Sequence, residues 1–226
     1  MRSVGATLLL GLWLSGACDV ALAQGVTESE PSSAAPLATS PARPPEDAKI
    51  DGFRSAQFGM TEAQVRQAIR KDFPAVGEKI ASELNAAEKT TVLSIQVQDL
   101  IPGSGRAKAS YIIGYSSKKL IQVNVTWAAD PKSPAGAEGV VATANLLRTY
   151  FLAASYKPDS VIANRQLPNG YLVFRGMDAR SRMVVLLLTG ATAVPEGEKA
   201  PPVMLQLSYI GDPDHPDIYQ VPKGAF

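Results

Sequence analysis

The chain is short of the residues that most often carry enzyme chemistry. Its 226 residues include one cysteine, Cys18, and one histidine, His215. A serine hydrolase of the usual kind needs a base beside its nucleophile, and histidine most often fills that role. Cys18 lies in a stretch with the composition of a cleaved leader, so we expect no thiol and no disulfide in the mature protein. The sequence therefore predicts a protein that is not an enzyme.

The chain also lacks a strong charge and a long apolar run. Its formal net charge of +1 gives no electrostatic reason to bind nucleic acid. A membrane-spanning helix needs about 20 apolar residues, whereas the strongest apolar run after the leader, 183–188, has the length of a strand. The glycine-containing stretch 103–106 lacks the spacing of a phosphate-binding loop. We therefore expect no nucleic-acid partner, no transmembrane segment after leader removal and no cofactor.

Residues 1–23 have the three parts of a secretory signal peptide. Arg2 gives a basic start, residues 8–14 form an apolar run, and Ala21-Leu22-Ala23 is a small-residue cleavage site. This predicts a periplasmic protein. An alternative is a lipoprotein anchored through Cys18, because small residues precede that cysteine, although Leu14 stands four residues before it rather than three.

Residues 24–50 are rich in proline, serine and alanine and contain few large apolar side chains. Such a segment cannot bury enough surface to offset the entropy lost on ordering. We therefore predict a disordered tether over 24–50, followed by an ordered region.

A helix is predicted to begin at Thr61. This residue can cap the helix, and Gln64 can complete a capping box by reaching back to the backbone of Thr61. Met60 and Val65 stand at the positions of a hydrophobic staple. The helix should end at Phe73, because the residue before a proline avoids helical geometry.

Alternating apolar and polar residues predict three strands after this helix, at 93–98, 110–115 and 121–127. A second helix is predicted from Ser133-Pro134, followed by strands at 171–175, 183–189 and 203–210. The repeated order predicts an α+β fold of two helix-plus-antiparallel-sheet units (α-β-β-β) in tandem. Their boundaries are 51–132 and 133–226.

The stretch Phe58-Gly59-Met60-Thr61-Glu62-Ala63-Gln64-Val65 resembles the helix start of a family of small bacterial envelope proteins. This is the SmpA/OmlA (BamE-like) and β-lactamase inhibitor protein-like superfamily. The resemblance implies a helical unit packed on an antiparallel sheet, and a non-enzymatic domain that binds other proteins through its sheet face. The chain departs from that pattern because it lacks the disulfides of the inhibitor and a well-formed lipoprotein signal.

One cluster carries potential metal ligands. Asp212, Asp214, His215 and Asp217 place three carboxylates and an imidazole within six residues, which suits Ca²⁺ or Zn²⁺ in chemistry. Asp-Pro steps are also ordinary turn formers, and no second ligand cluster is evident. We therefore favour a solvated turn over a metal site. The Ser-x-x-Lys motif at Ser116–Lys119 likewise favours a hairpin turn over a catalytic pair, which needs a helix.

The polar residues of the predicted strands define a candidate partner face. If the apolar sides of the strands are buried, the outward residues are Gln96, Gln98, Gln122, Asn124, Thr126, Gln206 and Ser208. Such a surface suits a protein partner and equally suits water. For Trp127, Tyr111 and Tyr115 we favour core packing over a role as binding anchors. The sequence therefore predicts an exported interaction module that binds an envelope protein, with a small-ligand or metal-binding accessory protein as the alternative.

Overall fold

An eight-stranded antiparallel sheet dominates the computed structural model, which describes residues 45–130, 136–190, 202–221 and 224. The helices are α1 (Glu62–Asp72) and α2 (Gly136–Leu152). A short hairpin, β1 (Gly52–Phe53) and β2 (Ala56–Gln57), precedes α1. The strands of the large sheet are β3 (Ala81–Asn85), β4 (Thr90–Gln98), β5 (Arg106–Ile113), β6 (Leu120–Ala128), β7 (Ile162–Leu167), β8 (Gly170–Met177), β9 (Met183–Thr189) and β10 (Met204–Ile210).

The predicted fold of two tandem helix-plus-sheet units is wrong. The strand order is β3-β4-β5-β6-β10-β9-β8-β7, so strands from both halves of the chain belong to one sheet. The junction is the pairing of β6 with β10, with Trp127 opposite Leu205 and Val125 opposite Leu207. These apolar side chains form a continuous core across the junction. Pairing along β6 and β10 satisfies backbone groups that two separate sheets would leave at exposed edges.

The predicted first helix is confirmed. Thr61 is the N-cap of α1, and its hydroxyl oxygen accepts from the backbone N–H of Gln64 while the Gln64 side chain accepts from the backbone N–H of Thr61. Val65, Ala68 and Ile69 form the buried side of the helix. The helix ends at Asp72, just before Phe73-Pro74.

Both helices pack on the same face of the sheet. Phe73, which follows α1, stacks on Phe53, and Phe53 in turn contacts the rings of Tyr111 and Tyr209. From α2, Phe151 stacks on Phe174 with ring centroids 5.4 Å apart and also meets Tyr209 edge-on. The structure therefore has one layer of helices on one layer of sheet, with the core between them.

Two strands of the large sheet were missed by the sequence patterns. β3 and β7 are the outermost strands, and most of their residues are exposed. An edge strand with little apolar surface to bury lacks the alternation by which a half-buried strand is recognised. The six interior strands all carry that alternation or an apolar run, and each was predicted.

Residues 45–50 differ from the predicted tether. The backbone N–H of Ala48 donates to the carbonyl of Ser155, and the N–H of Ser155 donates to the carbonyl of Glu46. The side chain of Ile50 is buried in the core. These contacts hold the segment against the domain, because Ile50 supplies the apolar anchor that the preceding stretch lacks.

Several predicted features lie outside the described residues. These are the signal peptide 1–23 with Cys18, positions 24–44 of the tether, the Ser133-Pro134 helix start and the boundary at 132/133. Within the part of the chain that the structure describes, no helix is long and apolar enough to cross a membrane.

Candidate functional site

The predicted partner-face residues all lie on the side of the sheet away from the helices, here called the open face. The register places Gln206 opposite Thr126 and Ser208 opposite Asn124 across the β6–β10 junction. Thr126 is also opposite Lys108, which in turn is opposite Gln96. The structure thus brings together residues from β4, β6 and β10 on one surface. Their role in binding a partner stays a prediction.

Neighbouring side chains on the open face bond to one another along the strands. The Nε2 amide of Gln122 donates to Oδ1 of Asn124 at 2.8 Å, and Nε2 of Gln206 donates to Oγ of Ser208 at 3.1 Å. Residues two apart on a strand share a face, which allows these contacts. Each bond orders a side chain but uses only part of its hydrogen-bonding capacity. The remaining donors and acceptors of Gln122, Asn124 and Gln206 are partly exposed, whereas Ser208 is buried.

The sequence patterns missed an apolar region of the open face, formed by β8, β9 and β10. Leu187 lies opposite Leu172 on β8 and opposite Gln206 on β10, and Val185 lies opposite Ser208. All are partly exposed except Ser208, which is buried. The apolar members of this region are Leu172, Met177, Met183, Val185, Leu187, Met204 and Ile210.

One sequence signal could have revealed this region. The run 183–188 is apolar at every position, so both sides of β9 are apolar. Val184, Leu186 and Leu188 take the core side. A sheet covered by helices on one face leaves the other side of such a strand uncovered.

Charge on the open face is mostly positive. Arg106 and Lys108 pair with Gln98 and Gln96, while Arg165 pairs with Leu172 and Arg175 with Val185. The sheet register puts these four cationic side chains on the open face, against one acidic side chain, Glu83, on β3. The apolar region is therefore flanked by cations.

The candidate metal ligands hold turns together. Asp217 Oδ1 accepts from the backbone N–H of Ser116 at 2.9 Å, and Oδ2 accepts from that of Ser117 at 2.8 Å. Partial burial raises the pKa of Asp217, but the hydrogen bonds from the Ser117 hydroxyl and the two backbone amides lower it by more, so the net shift is downward. Asp217 thus ties the C-terminal segment to the β5–β6 turn.

The other three candidates are more exposed. Asp212 Oδ1 accepts from the backbone N–H of His215, three residues later, at 2.9 Å, and this bond closes the turn between them. The His215 Nδ1 atom lies 3.7 Å from the same oxygen. Asp214 is exposed. Among the described residues, no group of three or more His, Cys, Asp or Glu side chains could hold a metal ion.

The aromatic residues divide between the core and the end of the sheet. Trp127 is 1% exposed, and its indole Nε1 donates to Oγ of Ser104 at 3.2 Å. Tyr111 is fully buried. Core packing is therefore confirmed for these two residues. Tyr115 instead lies beside the β5–β6 turn, where its ring meets that of Tyr219 edge-on.

Comparisons with known proteins found no relative of this chain. No protein-family model, curated protein or solved structure matches this chain.

Proposed function

We propose that the protein is an exported, non-enzymatic interaction module of a bacterial cell envelope that binds a protein partner through the open face. The main support for this proposal is that the described helices both pack on the other side of the sheet. The open face combines an apolar region with amide side chains held by hydrogen bonds. Contiguous apolar surface that is left partly exposed in this way is a feature of interaction sites on soluble domains.

The charges on the open face favour a partner of a particular chemistry. Cations flank the apolar region, so the complementary surface is acidic around an apolar centre. Charge of opposite sign speeds the encounter, while apolar burial supplies most of the affinity. Association should therefore slow as the salt concentration rises.

Location in the periplasm rests on the predicted signal peptide and on the resemblance of residues 58–65 to the envelope superfamily. The alternative function, metal binding by Asp212, Asp214, His215 and Asp217, has less support. Both oxygens of Asp217 already accept backbone hydrogen bonds, and among the described residues no group of three or more His, Cys, Asp or Glu side chains could hold a metal ion.

Affinity capture with paired variants tests the proposal. The mature protein is immobilised as wild type, as Leu187→Asp on the open face and as Leu146→Asp on the outer side of α2, where Leu146 is 56% exposed. Each is incubated with envelope extract from the bacterium that makes it. We expect one protein to be retained by wild type and by Leu146→Asp but lost with Leu187→Asp. Equal retention by the two variants, or no retained protein, contradicts the proposal.

A further inference from the structure

A crevice of about 680 Å³ opens on the helix side of the sheet. It lies between residues 45–54 and the C-terminal end of α2, with Val184 and Tyr209 of the sheet among its lining residues. Tyr150 and Tyr156 also line it, and the name tyrosine crevice is used here for the space bounded by Tyr150, Tyr156 and Tyr209. Its size is that of sites that enclose small molecules, which run from about 300 to 1,000 Å³.

The three phenol groups converge on this space without partners. Within the described parts of the chain, no hydrogen bond joins the hydroxyl of Tyr150, Tyr156 or Tyr209 to another group. Burial, together with the neighbouring Tyr150, raises the pKa of Tyr156 to about 12, and burial with the neighbouring tyrosines also raises the pKa of Tyr209. The hydroxyls of Tyr156 and Tyr209 are therefore protonated at neutral pH and can donate hydrogen bonds.

Charged side chains of both signs line the crevice. The cations are Arg54, whose guanidinium lies 4.8 Å from the centroid of the Phe73 ring, and the exposed Lys49. Among the acids, the carboxylate of Asp51 is paired with the guanidinium groups of Arg180 and Arg182, which offset its charge. Glu46 and Asp47 also line the crevice but are exposed, so solvent and salt screen them.

Aromatic rings supply the apolar walls. Phe151 lines the crevice between Tyr150, whose ring centroid is 5.3 Å away, and Tyr209, at 6.4 Å. Tyr156 packs against Phe174 at 5.1 Å. Such rings accommodate a flat apolar group by offset or edge-on contacts.

We propose that the tyrosine crevice binds a small aromatic acid. The ring of the ligand packs among the aromatic walls, and its carboxylate accepts hydrogen bonds from the tyrosine hydroxyls, while Lys49 and Arg54 supply the positive charge of the lining. This site is on the opposite side of the sheet from the open face, so it does not depend on the proposed protein partner.

Calorimetric titration with two matched probes tests the site. The probes are 2-naphthoate and 2-naphthylmethylammonium, which share a ring system and differ in the sign of charge. The protein variants are Tyr156→Phe, Tyr209→Phe and the double variant, which remove hydroxyls and keep the rings. The control is Tyr171→Phe, which changes a partly buried tyrosine of β8 outside the crevice. Circular dichroism and thermal melting establish that each variant is folded.

We expect saturable binding of 2-naphthoate, with the ammonium probe at least tenfold weaker. The Kd for 2-naphthoate should rise at least fivefold in the double variant, or in whichever single variant folds, and stay unchanged in Tyr171→Phe. The proposal is overturned by absent saturable binding of 2-naphthoate, by equal affinity for both probes, or by affinity that survives loss of the hydroxyls.

Discussion

The carboxylate of Asp178 accepts a hydrogen bond from the backbone N–H of Ile50, 128 residues earlier in the chain, at 3.1 Å. Asp178 is 2% exposed, and its other oxygen accepts from the backbone N–H groups of Arg180 and Arg182 at 2.9 and 3.0 Å. One buried side chain therefore shapes the β8–β9 turn and fixes the segment that leads into the domain. The contact with Ile50 is not visible in the local sequence, because the two residues are far apart in the chain.

Replacing Asp178 by asparagine should destabilise the protein. The amide of asparagine puts N–H groups where the backbone N–H groups of Ile50 or Arg182 now find an acceptor, leaving buried donors unpaired. Losses of this kind cost about 2–3 kcal/mol where the acceptor is charged. Urea denaturation measures the change in the free energy of unfolding. The matched control, Asp159→Asn, changes an exposed residue with a positive φ that asparagine tolerates; equal effects of the two substitutions would refute the anchoring role.

Tyr111→Phe should leave the protein as stable as before or make it more stable, although Tyr111 is in the core. Its buried hydroxyl has no hydrogen-bond partner among the described residues. An unpaired buried hydroxyl costs about 1–3 kcal/mol, and phenylalanine keeps the ring contact with Phe53 while removing that cost. Thermal melting checks this outcome. A fall in melting temperature by several degrees means that the hydroxyl is bonded in solution.

Acid should loosen the C-terminal segment from the β5–β6 turn. The pKa of Asp217 is lower in the folded protein than in an unfolded chain, so its contribution is complete above the unfolded value of about 4. That contribution is lost as the pH falls through the folded pKa. The protection factors at Ser116 and Ser117, which are the exchange rates corrected for the intrinsic rate at each pH, should fall below about pH 4.

The variant Asp217→Asn supplies the reference for this experiment. It should show lower protection factors at Ser116 and Ser117 at neutral pH and little further loss of protection in acid. Asp214→Asn, in the same segment, should behave as the wild type. Identical pH profiles for the wild type and Asp217→Asn would show that another group controls the turn.

Two adjacent residues of β9 should differ strongly in how much an introduced carboxylate destabilises the protein. Val184 is fully buried beneath the helices, so Val184→Asp should cost more than about 3 kcal/mol or prevent folding. Val185 is on the open face, so Val185→Asp should cost about 1 kcal/mol, mainly through strand propensity. Denaturant titration of both variants measures the change in the free energy of unfolding. A large loss with Val185→Asp means that this face is covered in the free protein.

The sequence could predict the interior elements because their signals are local. A capping box at Thr61 and Gln64 needs only four residues, and the alternation of β6 follows from burial on one side. Pairing between β6 and β10 could not be predicted, because the sequence of neither strand identifies the strand with which it pairs. Without that pairing, the two groups of strands could not be assigned to one sheet, and two separate units were expected.

The candidate site also contains residues that the sequence could place and residues that it could not. The polar residues of the open face could be placed from the alternation in β4, β6 and β10. The all-apolar run 183–188 was a signal for the apolar region, but the same run fits a strand buried on both sides, so it could not show which side stays uncovered. Which side stays uncovered depends on where α2 packs, and contacts such as Phe151 with Phe174 join residues far apart in the chain.

Site-specific photo-crosslinking in living cells tests the open face most directly. A photoreactive phenylalanine analogue is placed at Leu187 on β9, at Lys108 on β5 or at Leu146 on α2, and adducts are identified by mass spectrometry after illumination. If a protein partner binds the open face, the analogue at Leu187 and at Lys108 should give an adduct with the same protein, and the analogue at Leu146 should give no adduct with it. An adduct of that protein from Leu146 and none from either sheet position would contradict binding through the open face.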